Sequence, residues 1–202
     1  MTEHVSLPSR DATARWLVII DMQRIFGEPI SGWATPGYAS AAAGIQRLLG
    51  AFESRVCFTR FLPPEPPTGI WIAYYEQWPF ALDPVNAPLY ELSDEFASIP
   101  AITLDRTTFG KWDAETDRAL GYPGEIVLAG VTTDCCVLST ALAAADAGVH
   151  VILAADACAG VTEADHRRAL DAMALYNPLI DVVEVDSILA SRASALRQES
   201  GA

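Results

Sequence analysis

Residues 126–148, IVLAGVTTDCCVLSTALAAADAG, constrain the fold more than any other part of the chain. Four apolar residues (Ile126, Val127, Leu128, Ala129) are short and β-rich enough for a buried parallel strand. Gly130 breaks that run, Thr132, Thr133 and Asp134 make a polar turn, and an alanine-rich helical pattern starts near Cys135 and Cys136. The pattern stops at Gly148, where a helix C-terminus is expected. A cysteine on the first turn of a helix, just past a strand's C-terminal end, meets unpaired N–H groups and the positive end of the helix dipole. Both favour thiolate over thiol. The same N–H groups could hold an oxyanion formed when the sulfur attacks a carbonyl.

The rest of the chain repeats this strand-then-helix order. Apolar runs at 16–20, 55–60, 101–105, 149–154 and 181–185 read as five further strands. Helices are expected over 40–52, from an Asp113 cap to about 120, from a Thr162 cap to about 176, and from 187 onward. This alternation calls for an α/β fold: three layers, with a central, mainly parallel six-stranded sheet covered by helices on both faces. One domain is expected over 1–202, with a flexible arm at 1–14 and an excursion at 61–90. The excursion combines seven prolines with Trp71, Tyr74, Tyr75, Trp78 and Phe80. It has too many aromatics for disorder, so it should wall a pocket or an oligomer interface, or simply cover the sheet edge.

A formal charge of −13 argues against nucleic acid and anionic membranes as partners. No apolar run is long enough to span a bilayer, and MTEHVSLPSRDATAR lacks the pattern of a secretory signal. Cysteines at 57, 135, 136 and 158 have no zinc spacing, and a reduced, cytoplasmic setting is the simplest reading. In open α/β sheets, ligands sit beyond the C-terminal ends of the strands. That edge should collect Asp21, the turn carrying Arg106 and Lys111, and the turn carrying Cys135 and Cys136. Acid, cation and thiol together make a nucleophilic site that needs no histidine. His166 belongs to the same edge, so a Cys–His dyad stays open.

These residues resemble the isochorismatase-like cysteine hydrolase superfamily, which includes nicotinamidases and N-carbamoylsarcosine amidohydrolases. The most specific part is Ala129-Gly130-Val131-Thr132-Thr133-Asp134-Cys135-Cys136-Val137, similar to the family's AG-V-x-T-D-x-C-V signature. Asp21-Met22-Gln23 matches its D-x-Q, and Thr140-Ala141, Ala145-Asp146-Ala147-Gly148 and Asp156-Ala157 follow in order. The resemblance covers about residues 16–185 and implies an isochorismatase-like, Rossmann-like topology. It also implies an Asp-Lys-Cys triad in which Asp21 is the base and Cys136 the nucleophile. Lys111 is favoured as the cation, and Arg106, which stands at the aligned position, is the alternative. A cis Val131–Thr132 peptide and an oxyanion hole from the N–H groups of Thr132 and Cys136 are implied as well. Gln23, Trp71, Tyr74, Trp78 and Trp112 are candidates for the substrate pocket, with Gln23 read more as orienting a loop than as touching substrate.

Some nicotinamidases hold a metal through histidines after the second strand, but residues 61–90 contain none. No metal or other cofactor is therefore expected. The activity implied is cysteine-dependent hydrolysis of a small amide, ureido or other C–N substrate through a thioester, in a homo-oligomer (dimer or tetramer). A non-catalytic module that binds its partner through 61–90 is the alternative.

Overall fold

The computed structural model describes residues 9–52 and 54–200. Its strands are β1 (Asp11–Ile20), β2 (Val56–Phe61), β3 (Ile102–Arg106), β4 (Pro123–Val131), β5 (His150–Ala159) and β6 (Ile180–Val183). Helices α1 (Arg24–Gly27) and α2 (Tyr38–Leu49) follow β1; α3 (Trp71–Gln77) and α4 (Asp94–Ala97) follow β2. α5 (Ala114–Ala119) follows β3, α6 (Leu138–Asp146) follows β4, α7 (Glu163–Ala174) follows β5, and α8 (Val185–Ser200) ends the described chain. All strand pairs are parallel, in the order β3-β2-β1-β4-β5-β6.

β1 and β4 form the centre of the sheet, in register from Trp16 opposite Ile126 to Ile20 opposite Gly130. Side chains alternate across the pleat. Leu17, Ile19, Val127 and Ala129 enter a core that also takes Ala41, Ile45 and Leu48 of α2 and Val185 and Ile188 of α8. Val18, Ile20, Ile126 and Leu128 enter a second core with Ala141 and Ala144 of α6 and Met173 of α7. Burial on both faces explains why these strands read as continuous apolar runs. Each buried Leu, Ile or Val contributes roughly 1.5–3 kcal/mol. The caps at two helix starts are those expected: Asp113 accepts from Thr116 N at 2.7 Å and Thr162 from Asp165 N at 3.1 Å. Each contributes about 1 kcal/mol.

Two boundaries differ from the sequence reading. Residues 11–14 are not arm but the start of β1, because Asp11 pairs with Pro123 and its N–H donates to Tyr122 O at 2.9 Å. Arg10 anchors this end with a forked ion pair to Asp117, 2.8 and 3.0 Å. The rest of the expected arm, residues 1–8, lies outside the described residues. Gly130 does not break β4; it sits inside the ladder with φ +119, opposite Ile20 on one side and Cys158 on the other. A Cβ there would lie 2.2 Å from Ile20 O. Only glycine lets the tips of β1 and β4 come this close, which sets Asp21 beside the turn that follows β4.

The excursion is ordered by α3 and by 3₁₀ turns at Pro79–Leu82 and Pro84–Tyr90, each started by its proline. Gln23 clamps both of its ends. Its amide donates to Phe61 O at 3.1 Å and Tyr90 O at 2.6 Å, and its carbonyl accepts from Phe61 N at 2.8 Å. Gln23 therefore orients the loop rather than lining the substrate pocket, its polar atoms being spent on backbone.

Candidate active site

Asp21 follows the last residue of β1 in a left-handed backbone conformation, φ 51, which Asp tolerates better than most residues. Its N–H donates to Thr59 O and Thr59 Oγ1, both at 3.2 Å, and Thr59 Oγ1 donates back to Asp21 Oδ1 at 2.7 Å. Oδ1 is thus fixed by β2. Oδ2 accepts no directional hydrogen bond from the described residues, but it lies 3.1 Å from Lys111 Nζ as an ion pair. Both side chains are fully buried.

Lys111 reaches this position from the loop between β3 and α5. That loop is held at both ends of the lysine: its N–H donates to Thr140 Oγ1 at 3.0 Å and its carbonyl accepts from Thr116 Oγ1 at 2.7 Å. Nζ also donates to Thr108 O at 2.7 Å and lies 4.7 Å from the centroid of the Phe61 ring. Thr140 Oγ1 in turn donates to Cys136 O at 2.6 Å, so one hydroxyl ties the lysine loop to the cysteine turn. Arg106 points elsewhere. Its guanidinium is forked onto Asp113 at 2.8 and 3.1 Å, with Glu115 at 3.3 Å, and it is not a member of this cluster.

Cys136 sits in a π-helical turn, Thr133–Val137, that precedes α6. The Thr132 carbonyl accepts from both Cys135 N (3.2 Å) and Val137 N (3.1 Å), and the Val131–Thr132 peptide is cis. The thiol is 3 % exposed. Burial first and the Asp21 carboxylate second push its pKa well above the ordinary thiol value, against the opposing pull of Lys111. The resting sulfur is therefore a thiol. The helix-start effect expected from the sequence is outweighed by burial first and by the Asp21 carboxylate second.

A cavity of about 340 Å³ opens over this thiol. Thr132, Cys135 and Cys136 form its floor; Phe26, Trp33, Phe61, Tyr74, Trp78 and Phe109 form its wall. Tyr74 and Trp78 are the sequence candidates that line it. Trp71 stands behind the wall, edge-on to Tyr74 and Phe109 at 5.3 and 5.2 Å. Trp112 is buried in the core on the α6 side of the sheet, and Phe109 takes the pocket position instead. Phe26, Trp33, Phe61 and Phe109 were not singled out from sequence, nor were the supporting Thr59 and Thr116. Only the aromatic at the end of β2, directly after Thr59-Arg60, offered a usable signal. His166 does not reach the sulfur: its Nδ1 is 2.8 Å from Thr133 Oγ1. Among the described residues no group of three or more His, Cys, Asp or Glu side chains could hold a metal ion.

Residues 15–184 match a family model described as the isochorismatase domain. No curated protein matches the chain by sequence. Among solved structures, a cysteine hydrolase from Pseudomonas syringae pv. phaseolicola superposes with a TM-score of 0.79 at 21% identity, covering 90% of this chain and 93% of the other. An isochorismatase-like hydrolase from Alkaliphilus metalliredigens gives 0.69 at 17% identity, covering 88% and 98%. A nicotinamidase from Bacillus subtilis gives 0.66 at 19%, covering 85% and 99%. At these identities the likeness is one of fold.

Proposed function

This chain belongs to the isochorismatase family of hydrolases, and from that premise we propose that it cleaves the C–N bond of a small amide or ureido compound through a thioester on Cys136. The observation that carries this reading is the buried ion pair of Asp21 and Lys111, 3.1 Å apart, acting on a thiol at the floor of a cavity.

Asp21 Oδ2, with a lone pair uncommitted to any directional bond, takes the proton from Sγ as the sulfur attacks the carbonyl carbon. Lys111, ion-paired with that carboxylate at 3.1 Å, offsets the negative charge during attack. The main-chain N–H groups of Thr132 and Cys136 receive the tetrahedral oxyanion. Collapse breaks the C–N bond, and the proton held by Asp21 passes to the departing ammonia or amine. Water then attacks the thioester, giving one proton to Asp21. The thiolate leaves and recovers that proton, and the acid is released.

In Cys136→Ala, turnover of any amide substrate should vanish while the circular dichroism spectrum and urea midpoint stay close to wild type. Mass spectrometry of wild type quenched during turnover should find the acyl group on Cys136. A folded, active Cys136→Ala protein would rule out the mechanism. The same reading holds the chain to be one catalytic domain that works in the cytoplasm as a dimer or tetramer, with exposed Ile70, Ile72 and Val85 of the excursion as the contact. Sedimentation velocity on wild type and Val85→Glu tests the contact: a monomeric wild type excludes it.

A further inference from the structure

Among the described residues, no charged side chain lines the cavity. Its lining residues are Phe, Trp, Tyr, Ala, Gly, Val, Thr and Cys, and the polar atoms among their side chains are neutral hydroxyls, thiols and indole N–H groups. Lys111, which does not line the cavity, is already ion-paired to Asp21, and Arg106 is ion-paired to Asp113. A carboxylate on the substrate would thus enter a dry site with no partner, inside a chain of net charge −13. Burying an unpaired anion is costly enough to exclude it. Trp33 is the hub of the wall, with its ring centroid 6.1 Å from Phe26, 6.0 Å from Phe61, 6.0 Å from Tyr74 and 6.2 Å from Trp78. Phe61 and Tyr74 are in turn 5.8 and 5.7 Å from Phe109. The cavity of about 340 Å³ that these rings line suits a small, flat apolar body. The volume is at the small end of ligand pockets, roughly 300–1,000 Å³.

Tyr74 lines that cavity together with Cys135 and Cys136. Burial, then the neighbouring Tyr75 and the two cysteines, raise its pKa far above that of a free phenol, so it stays a neutral donor. From these features we infer that the acyl half of the substrate is an uncharged, apolar, planar group such as an unsubstituted aryl ring, and that carboxylate-bearing amides and ureido acids are rejected. The inference rests on the hydrolase reading above and adds the substrate class.

Three amides of one shape test it: benzamide, 4-carbamoylbenzoate and 4-(trimethylammonio)benzamide. Their binding to Cys136→Ala is followed by tryptophan fluorescence, which needs no chemistry. Benzamide should bind at least about tenfold more tightly than the carboxylate, since the anion loses its hydration without gaining a partner. Trp33→Ala in the same background should erase most of that preference. Equal or tighter binding of the carboxylate, or of the quaternary ammonium, overturns the inference, and so does no binding of benzamide at millimolar concentration. In wild type, p-nitrophenyl benzoate should acylate Cys136 faster than its 4-carboxy analogue, read by adduct mass. Benzamide that binds while no ester ever acylates Cys136 would sink the nucleophile instead and leave the cavity's preference standing.

Discussion

Asp21 just past β1, Thr59 inside β2, Lys111 in the loop after β3 and Cys136 in the turn after β4 belong to four neighbouring strands and the turns they lead into, whereas Trp33, Tyr74 and Trp78 hang on longer segments between strands. The first set is between 0 and 3 % exposed, and each polar group is tied to a different strand or loop. The second set is held by ring-to-ring contacts, with Trp78 36 % exposed. A floor of this kind fixes atoms to a fraction of an ångström, which acid–base chemistry requires. A wall of this kind can be re-cut without disturbing the sheet. The floor should therefore lose rate when changed and the wall should lose selectivity, and each variant below probes that division.

The largest effect is expected for Asp21→Asn. Asn tolerates the left-handed backbone as well as Asp does, so the fold survives while the proton acceptor is gone. The value of kcat/KM should fall by about 10³-fold. Reactivity should move the other way. The carboxylate is the second cause of the raised Cys136 pKa, so its removal lowers that pKa. Iodoacetamide labelling, which in wild type should still climb above pH 9, will rise at lower pH in the variant. Activity within tenfold of wild type, or an unmoved labelling curve, would break the assignment of the floor.

Next in size is Lys111→Met, which strands a buried carboxylate and should cost about 3–5 kcal/mol in urea denaturation. Combining it with Asp21→Asn should restore most of that stability, because the uncompensated charge disappears with its partner; a double variant as unstable as the single would mean the lysine acts by packing alone. Thr59→Val is smaller. It removes the 2.7 Å bond to Asp21 Oδ1 at a cost of about 1–3 kcal/mol, and kcat should fall about tenfold with KM little changed, because the carboxylate is less well aimed. A KM effect with kcat intact would place Thr59 with the wall.

The same division governs what the sequence could tell. The strands were legible because burial on both faces leaves an unbroken apolar run, and the Asp113 and Thr162 caps because their chemistry is local. The start of β1 was not: Asp11-Ala12-Thr13 is exposed, and the pairing of Asp11 with Pro123 of β4 rather than hydrophobicity fixes the structure there. The π turn at Cys136 has no residue pattern of its own. Lys111 and Arg106 could not be separated by spacing, since the hydroxyls of Thr116 and of Thr140, the latter on α6, determine how the loop folds. Trp112 and Phe109 exchanged places for the same reason. Trp33 was hidden in a Gly- and Pro-rich loop, and only its contacts reveal it as the hub of the wall.

The smallest effect is expected at the rim. Trp78 meets Trp33 edge-on at 6.2 Å and Phe80 at 6.3 Å. Trp78→Ala removes one panel of the wall while the Trp33 contacts to Phe26 and Phe61 remain. Because the residue is already partly in water, less area is lost than for a core tryptophan, and stability should change by under about 1 kcal/mol. For an apolar amide, KM should rise about three- to tenfold with kcat near wild type, the signature of lost uniform binding. Iodoacetamide labelling of Cys136 should be no slower, since the path to the sulfur is only widened. A fall in kcat with KM intact would mean that the rim helps to aim the carbonyl, and wall and floor would then be a single device rather than two.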